Sequence, residues 1–158
     1  MFFSFINPIE DNKNMTNDIL NSYEQSWGVT FPKLLREYYL NYNFSNVKRN
    51  KGKLRVSIIL PLRNNNTWSV EEFRDSILNG EFVYHVNVRE YIPFAAFEDY
   101  YAYFWCNSTG KVYTYDSLDD GELTEVFDSV EDFFNYLEEE VKKELKGGKK
   151  LFNFFKKG

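Results

Sequence analysis

The residues of this 158-residue chain whose types and spacing could do chemistry are mainly carboxylates. Two adjacent pairs, Glu98-Asp99 and Asp119-Asp120, could act as the acid and base of glycosidic cleavage, which needs two carboxyl groups. Adjacent acids in loops are far more often solvated than catalytic. We therefore predict no catalytic residue and rank an enzyme that uses Glu98 and Asp99 third among the hypotheses.

Other catalytic and metal-binding patterns are poorly matched. The single histidine, His85, lies in a predicted strand, and the single cysteine, Cys106, has no base apparent in the sequence. The acidic segment that begins at Asp116 resembles a calcium loop, but Leu118 and Phe127 stand where oxygen ligands are needed. Glycine-rich phosphate loops do not occur. The sequence predicts neither a cofactor nor a metal site.

Charge is unevenly distributed along the chain. The formal net charge is −5, yet residues 116–140 carry eleven carboxylates and no Lys or Arg, whereas residues 142–158 carry seven Lys and one Glu. A negative field repels phosphate backbones and attracts cationic partners. We therefore expect the body of the domain not to bind nucleic acid. A protein-binding surface and a merely solvated face explain the acids about equally well.

Composition predicts one folded cytoplasmic domain. Aromatic residues make up 20% of the chain, far above the content of disordered sequences. The mean hydropathy is −0.53, and the apolar segment Met1–Pro8 lacks the positive charge that precedes a signal peptide. A single cysteine fits a reducing compartment. We expect no transmembrane segment.

Apolar residues at helical spacing, together with capping residues, predict four helices. The first two form a helical hairpin, with Gly28 as a left-handed cap between them, and the last begins after the capping residue Ser129. The predicted ranges are 16–27, 32–42, 70 to about 78, and 130 to about 145.

Alternating apolar residues predict five strands. Residues 107–110 link two of them as a hairpin, and residues 43–52 and 116–121 are predicted loops. The strand ranges are 54–60, 82–88, 100–105, 111–115 and 123–127. The fold class is therefore α+β, with a helical hairpin and a closing C-terminal helix packed around a mostly antiparallel sheet.

Several short motifs follow one another along the chain. They are Trp27-Gly28-Val29, Phe31-Pro32, Leu35-Arg36-Glu37-Tyr38-Tyr39, Tyr42-Asn43, Ile92-Pro93-Phe94-Ala95, the run from Tyr100 to Trp105, the run from Gly110 to Asp116, and the Ser129-capped run from Phe127 to Phe134. In order and spacing these motifs resemble the SUKH superfamily, which includes yeast cell-wall synthesis regulators and many bacterial immunity proteins. The similarity spans about residues 17–145, and residues 62–80 look like an addition particular to this chain.

The resemblance implies a domain without catalytic activity, which we place at residues 16–145, between an N-terminal extension, 1–15, and a Lys/Phe-rich tail, 146–158. Bacterial members are commonly encoded beside a toxin and neutralise it by binding. The first hypothesis is therefore an immunity protein whose partner is a basic toxin domain, for example a nuclease. The second is an intracellular regulatory or scaffold protein linked to cell-wall synthesis or the cell envelope.

Acids in or beside predicted loops, together with a tyrosine next to them, are the candidate contact residues. Carboxylates would steer a basic partner, and an aromatic ring would add buried area. They are Glu98, Asp99, Tyr100, Asp116, Asp119, Asp120 and Glu122. Tyr38, Phe94 and Trp105 are assigned to the core. For the Lys/Phe-rich tail, a strap on the acidic body or a frayed end is favoured over binding to lipid or nucleic acid.

Overall fold

The computed structural model describes residues 6–8, 15–41, 45–47, 56–58, 69–80, 86–97, 101–116, 122–140 and 142–143. This part of the chain contains four helices, which confirms the four predicted from the sequence. They are α1 (Asn17–Trp27), α2 (Lys33–Asn41), α3 (Val70–Leu78) and α4 (130–140). None of them is long and apolar enough to cross a bilayer.

Side-chain caps set the helix ends where the sequence predicts them. The Ser69 hydroxyl accepts a hydrogen bond from the Glu72 amide at 3.1 Å, and the Ser129 hydroxyl accepts one from the Asp132 amide at 3.0 Å. Gly28 adopts a left-handed conformation, with φ of 67°, and ends α1. Each cap supplies a partner for a backbone group that the helix itself leaves without one.

Among the described residues, seven strands form one antiparallel sheet in sequence order. Helices α1 and α2 lie in the chain between its first two strands, and α3 lies between the third and fourth, so the fold is α+β. The strands are β1 (Ile6–Pro8), β2 (Ser45–Val47), β3 (Val56–Ile58), β4 (Tyr91–Phe97), β5 (Tyr101–Cys106), β6 (Val112–Asp116) and β7 (Thr124–Phe127). Strand β1 belongs to the segment that we assigned to an N-terminal extension.

One sequence-based element prediction is wrong, and a second is wrong over the part of it that the structure describes. Residues 43–52 were predicted as a loop, but Ser45–Val47 form β2. A strand was predicted over 82–88; residues 81–85 lie outside the described residues, and 86–90 form an irregular segment and a turn. The Asn87 side chain accepts the Arg89 amide at 3.1 Å, which closes a local turn that replaces strand pairing.

A bulge in β4 directs two successive side chains into one core. Pro93 pairs with Phe104 and Ala95 pairs with Tyr103, so Phe94 is the extra residue. Phe94 and Ala95 are both fully buried in the larger core, which contains α1, α2 and α4 side chains. The assignment of Tyr38, Phe94 and Trp105 to the core is confirmed.

The smaller core lies around α3 and the opposite face of the central strands. Ile77 packs there with Phe104 and Tyr115, whereas Val70, at the start of the same helix, belongs to the larger core. The Tyr23 hydroxyl donates to a Glu71 carboxylate oxygen at 3.3 Å, which joins α1 to α3. Helix α3 is therefore integrated with the rest of the fold, although residues 62–80 look like an addition in the sequence.

Candidate partner-binding surface

Strand registers bring the flanks of both predicted acidic segments to one end of the sheet. Phe97 pairs with Tyr101 across the connection that contains residues 98–100, and Tyr101 pairs with Asp116. Asp116 is the last residue of β6, and Thr124, which starts β7, pairs with Thr114. The end of β4, the start of β5, the end of β6 and the start of β7 are therefore neighbours. We call this end of the sheet the acidic end.

The structure describes only part of the predicted contact set. Glu122 is exposed and lies two residues before Thr124, the first residue of β7. The backbone of Asp116 ends β6, and nothing further is described of that residue. The other predicted contacts lie outside the described residues: Glu98, Asp99, Tyr100, Asp119 and Asp120.

One carboxylate of β7 already has a cation beside it. The Lys111 ammonium lies 2.6 Å from a Glu125 carboxylate oxygen, and both side chains are more than 40% exposed. The hydrogen bond and the charge of Glu125 raise the pKa of Lys111 above its ordinary value. Exposed ion pairs contribute little stability because water competes with them. Glu125 can therefore exchange Lys111 for a cation of a partner.

Carboxylates of α4 fall into two groups with different electrostatics. Glu131 and Asp132 lie in the first turn, where the helix dipole stabilises negative charge. Stabilisation of the helix therefore explains why acids occur at these two positions, without a binding partner. In the last turn, Glu138 lies 3.5 Å from the Lys142 ammonium, and Glu140 lies 3.3 Å from that of Lys143. The last turn of α4 is therefore partly neutralised by lysines, whereas the acids of its first turn are stabilised by the helix dipole.

Apolar side chains are also exposed beside these acids. Val126 is 39% exposed and Tyr136 is 40% exposed, which makes them two of the three large hydrophobic residues exposed in the described chain. The Tyr136 ring lies 5.4 Å from that of Phe127, so this side chain of α4 contacts β7. Acids beside accessible rings are typical of a protein-binding surface.

The opposite end of the sheet holds a polar cluster that was not apparent in the sequence. The Cys106 thiol donates to a Glu90 carboxylate oxygen at 2.9 Å, and the Ser108 amide donates to the same oxygen at 2.9 Å. The Ser108 hydroxyl also donates to it. These hydrogen bonds, first that of Cys106, lower the pKa of Glu90 below its ordinary value.

This cluster does not have the arrangement of a catalytic cysteine site. Cys106 is 3% exposed, and its thiol serves as a hydrogen-bond donor to a carboxylate. Activated cysteines instead lie beside an imidazole, a cation or a helix N-terminus. The cluster holds the turn at residues 107–110 against residues 87–90, where the Glu90 carbonyl accepts the Asn107 amide at 2.7 Å.

Asn107 joins the same turn to the link between α1 and α2. Its carbonyl oxygen accepts the Thr30 amide at 3.0 Å, and its side-chain amide donates to the Gly28 carbonyl at 3.4 Å. The sequence indicated a turn at 107–110. It did not indicate that this turn contacts Gly28 and Thr30, which lie 79 and 77 positions earlier in the chain. Within the described residues, no three His, Cys, Asp or Glu side chains converge to hold a metal ion.

Comparison with models of known families gives a match over most of the chain. The model of the SMI1 / KNR4 family (SUKH-1) matches residues 14–136, which is most of the chain and includes α1 to α3, β2 to β7 and the start of α4. No individual curated protein matches the chain significantly.

Proposed function

Because the chain belongs to the SMI1 / KNR4 family (SUKH-1), we propose that it is a non-catalytic immunity protein. In this proposal it resides in the cytoplasm, where it binds a cognate basic toxin domain, such as a nuclease, and neutralises it. The family supports a role carried out through protein partners. The charge distribution supports a partner of positive charge.

The observation that carries this proposal is the register of the central strands. Pairing of Phe97 with Tyr101 and of Tyr101 with Asp116 puts the flanks of two separate acidic segments at one end of the sheet. Carboxylates from both segments would then act on one partner. The proposed contacts remain Glu98, Asp99, Tyr100, Asp116, Asp119, Asp120 and Glu122.

A concentrated negative surface accelerates encounter with a basic protein. Electrostatic steering raises association rates from about 10⁵–10⁶ M⁻¹s⁻¹ toward 10⁸ M⁻¹s⁻¹ or more at low salt, and it weakens as salt is added. Fast capture suits an inhibitor that must meet a toxin before the toxin reaches its substrate. Tyr100 would supply part of the buried area that slows dissociation.

The alternative is an intracellular regulatory or scaffold protein linked to cell-wall synthesis or the cell envelope. Membership of the family, which includes regulators of this kind, favours it. Such a protein would also bind partners through exposed acids and rings. A gene that stands beside envelope functions, and not beside a toxin gene, would support this alternative.

The test uses the full chain and an inactivated toxin domain encoded beside its gene. We expect a tight complex, and we expect the triple variant Asp119→Lys, Asp120→Lys, Glu122→Lys to associate at least about tenfold more slowly at low salt. Glu37→Lys is a charge-reversal control, since Glu37 is exposed on α2, which is not one of the strands that form the acidic end. Absence of any complex would contradict the immunity role. Equal rates for the triple variant and the wild type would contradict the proposed surface.

A further inference from the structure

We propose that the outer edge of β7 is a docking edge, to which a partner adds an extended strand that carries Lys or Arg. This proposal rests on the proposed function in one respect: the partner is a protein that has a basic contact segment. It specifies how that segment binds: backbone hydrogen bonds would continue the sheet, and side chains would select the partner by charge.

Position in the sheet is the first argument. Strand β7 is the last of the seven strands, and its inner neighbour is β6. In the described part of the chain no strand pairs with its outer side. Its residues Thr124, Glu125 and Val126 are exposed, whereas Phe127 faces the core through contacts with Phe133. A strand edge of this kind presents backbone donors and acceptors that another strand can satisfy.

A register irregularity makes Val126 available to a partner. Phe127 pairs with Val112 and Glu125 pairs with Tyr113, which leaves Val126 as the extra residue of β7. Its side chain is 39% exposed, and Tyr136 on α4 is 40% exposed. An incoming strand would bury apolar surface of these side chains, which stabilises the complex. This gain would add to that of the backbone hydrogen bonds, which replace hydrogen bonds to water.

Charge determines which strand fits. Glu122 and Glu125 flank the exposed start of β7, and the Lys111 cation of Glu125 belongs to an exposed pair that a partner can displace. A second copy of this chain would bring the same acids against each other, which is unfavourable for directly opposed strands. A Lys-bearing strand would instead pair with them. The occupant is therefore a cationic segment of a different protein.

Edge charges also have a simpler use, which is to prevent edge-to-edge aggregation. That role and docking give different results with a cationic strand. A purely protective edge binds no peptide of either charge. A docking edge binds a cationic strand and rejects an acidic one.

The test uses the full chain with a soluble peptide that alternates Lys and Val, and a control peptide in which Glu replaces Lys. We expect the Lys peptide to slow amide hydrogen exchange within residues 124–127 at least about threefold at low salt, and the Glu peptide to have no effect. Glu122→Lys and Val126→Lys should each weaken peptide binding at least about fivefold. The matched controls are Glu37→Lys on α2 and Leu78→Lys on α3, because both side chains are exposed there.

Several results would overturn the docking edge. They are absence of peptide binding, protection at residues other than 124–127, equal weakening by the control variants, and a dimer of the free chain that pairs through β7. The toxin domain separates this inference from the proposed function. If that domain binds without protecting β7, only the docking edge fails. If the peptide protects β7 but the toxin domain does not bind, only the immunity role fails.

Discussion

The guanidinium group of Arg74 lies over the indole ring of Trp27, with its central carbon 4.3 Å from the ring centroid. The same group donates two hydrogen bonds to the Val88 carbonyl, at 3.1 and 3.3 Å. Burial lowers the pKa of Arg74 to about 10, which still leaves it a cation at neutral pH. One side chain therefore joins α3 to the end of α1 and to the turn that precedes β4.

Replacement of Arg74 should destabilise the fold. Arg74→Ala should lower the free energy of unfolding by about 2–4 kcal/mol, because it removes the ring contact and leaves the Val88 carbonyl without its donors. Arg74→Lys should cost about 1–2 kcal/mol, since an ammonium cannot reproduce the planar contact. Urea denaturation measures both. Arg89→Ala, at an exposed position, is the control; equal effects of the two alanine variants would show that the contact adds no stability.

Phe133 is the centre of an aromatic cluster in the larger core. Its ring is fully buried and lies 5.0 Å from that of Phe94 and 4.9 Å from that of Tyr103. Phe133→Ala should lower the free energy of unfolding by about 3–5 kcal/mol, because it removes these contacts and leaves a cavity. Tyr136→Ala on the same helix should cost under about 1 kcal/mol, since Tyr136 is exposed. Similar losses for both variants would contradict this description of the core.

Helices were predictable from the sequence because their determinants are local. The capping residues Ser69 and Ser129 and the left-handed Gly28 each act within four residues of their own positions. Alternation of apolar residues did not indicate β4, although Ile92–Ala95 is one of the motifs of the resemblance, because Pro93 argues against a strand. In the structure Pro93 pairs with Phe104, directly before the bulge at Phe94. Val88 was assigned to a strand because a buried turn residue has the same apolar character as a buried strand residue.

The candidate site was predictable in composition but not in arrangement. Acidic residues are visible in the sequence, yet the register that joins Tyr101 to both Phe97 and Asp116 depends on three strands. The contacts of Glu90 and Asn107 were missed because their partners are distant in the chain and no periodicity links them. The edge position of β7 likewise follows from the order of the whole sheet.

Cys106 should be unreactive in the folded protein. It is 3% exposed, and its thiol donates a hydrogen bond to Glu90. Labelling with Ellman's reagent should therefore be at least about 100-fold slower in native buffer than in denaturant, because the reagent must wait for an opening event. Absorbance at the product wavelength follows the reaction. Fast labelling of the native protein would show that the cluster opens readily.

Glu90 should make stability depend on acid pH. Hydrogen bonds from Cys106 and Ser108 favour its charged form, so its pKa in the folded state lies below that in the unfolded state. Its contribution is therefore fully present above the unfolded pKa, near 4.5, and is lost as the pH falls through the folded pKa. Glu90→Gln should be less stable than wild type at pH 7, and the difference should shrink below pH 4.5. Urea denaturation at both pH values measures it; a constant difference would contradict the assignment.

Asn107 should hold the link between α1 and α2 in place through one hydrogen-bond acceptor and one donor. Asn107→Ala should lower the free energy of unfolding by about 1 kcal/mol, because it removes the acceptor that lies 3.0 Å from the Thr30 amide. The loss should stay this small because Thr30 is exposed and its amide can donate to water instead. Asn107→Asp keeps the acceptor for Thr30 and loses only the donor to Gly28. Hydrogen exchange at the Thr30 amide separates the two roles: alanine should speed exchange at least about tenfold, and aspartate should leave it nearly unchanged. If alanine left this exchange unchanged, Asn107 would not be the group that positions the link.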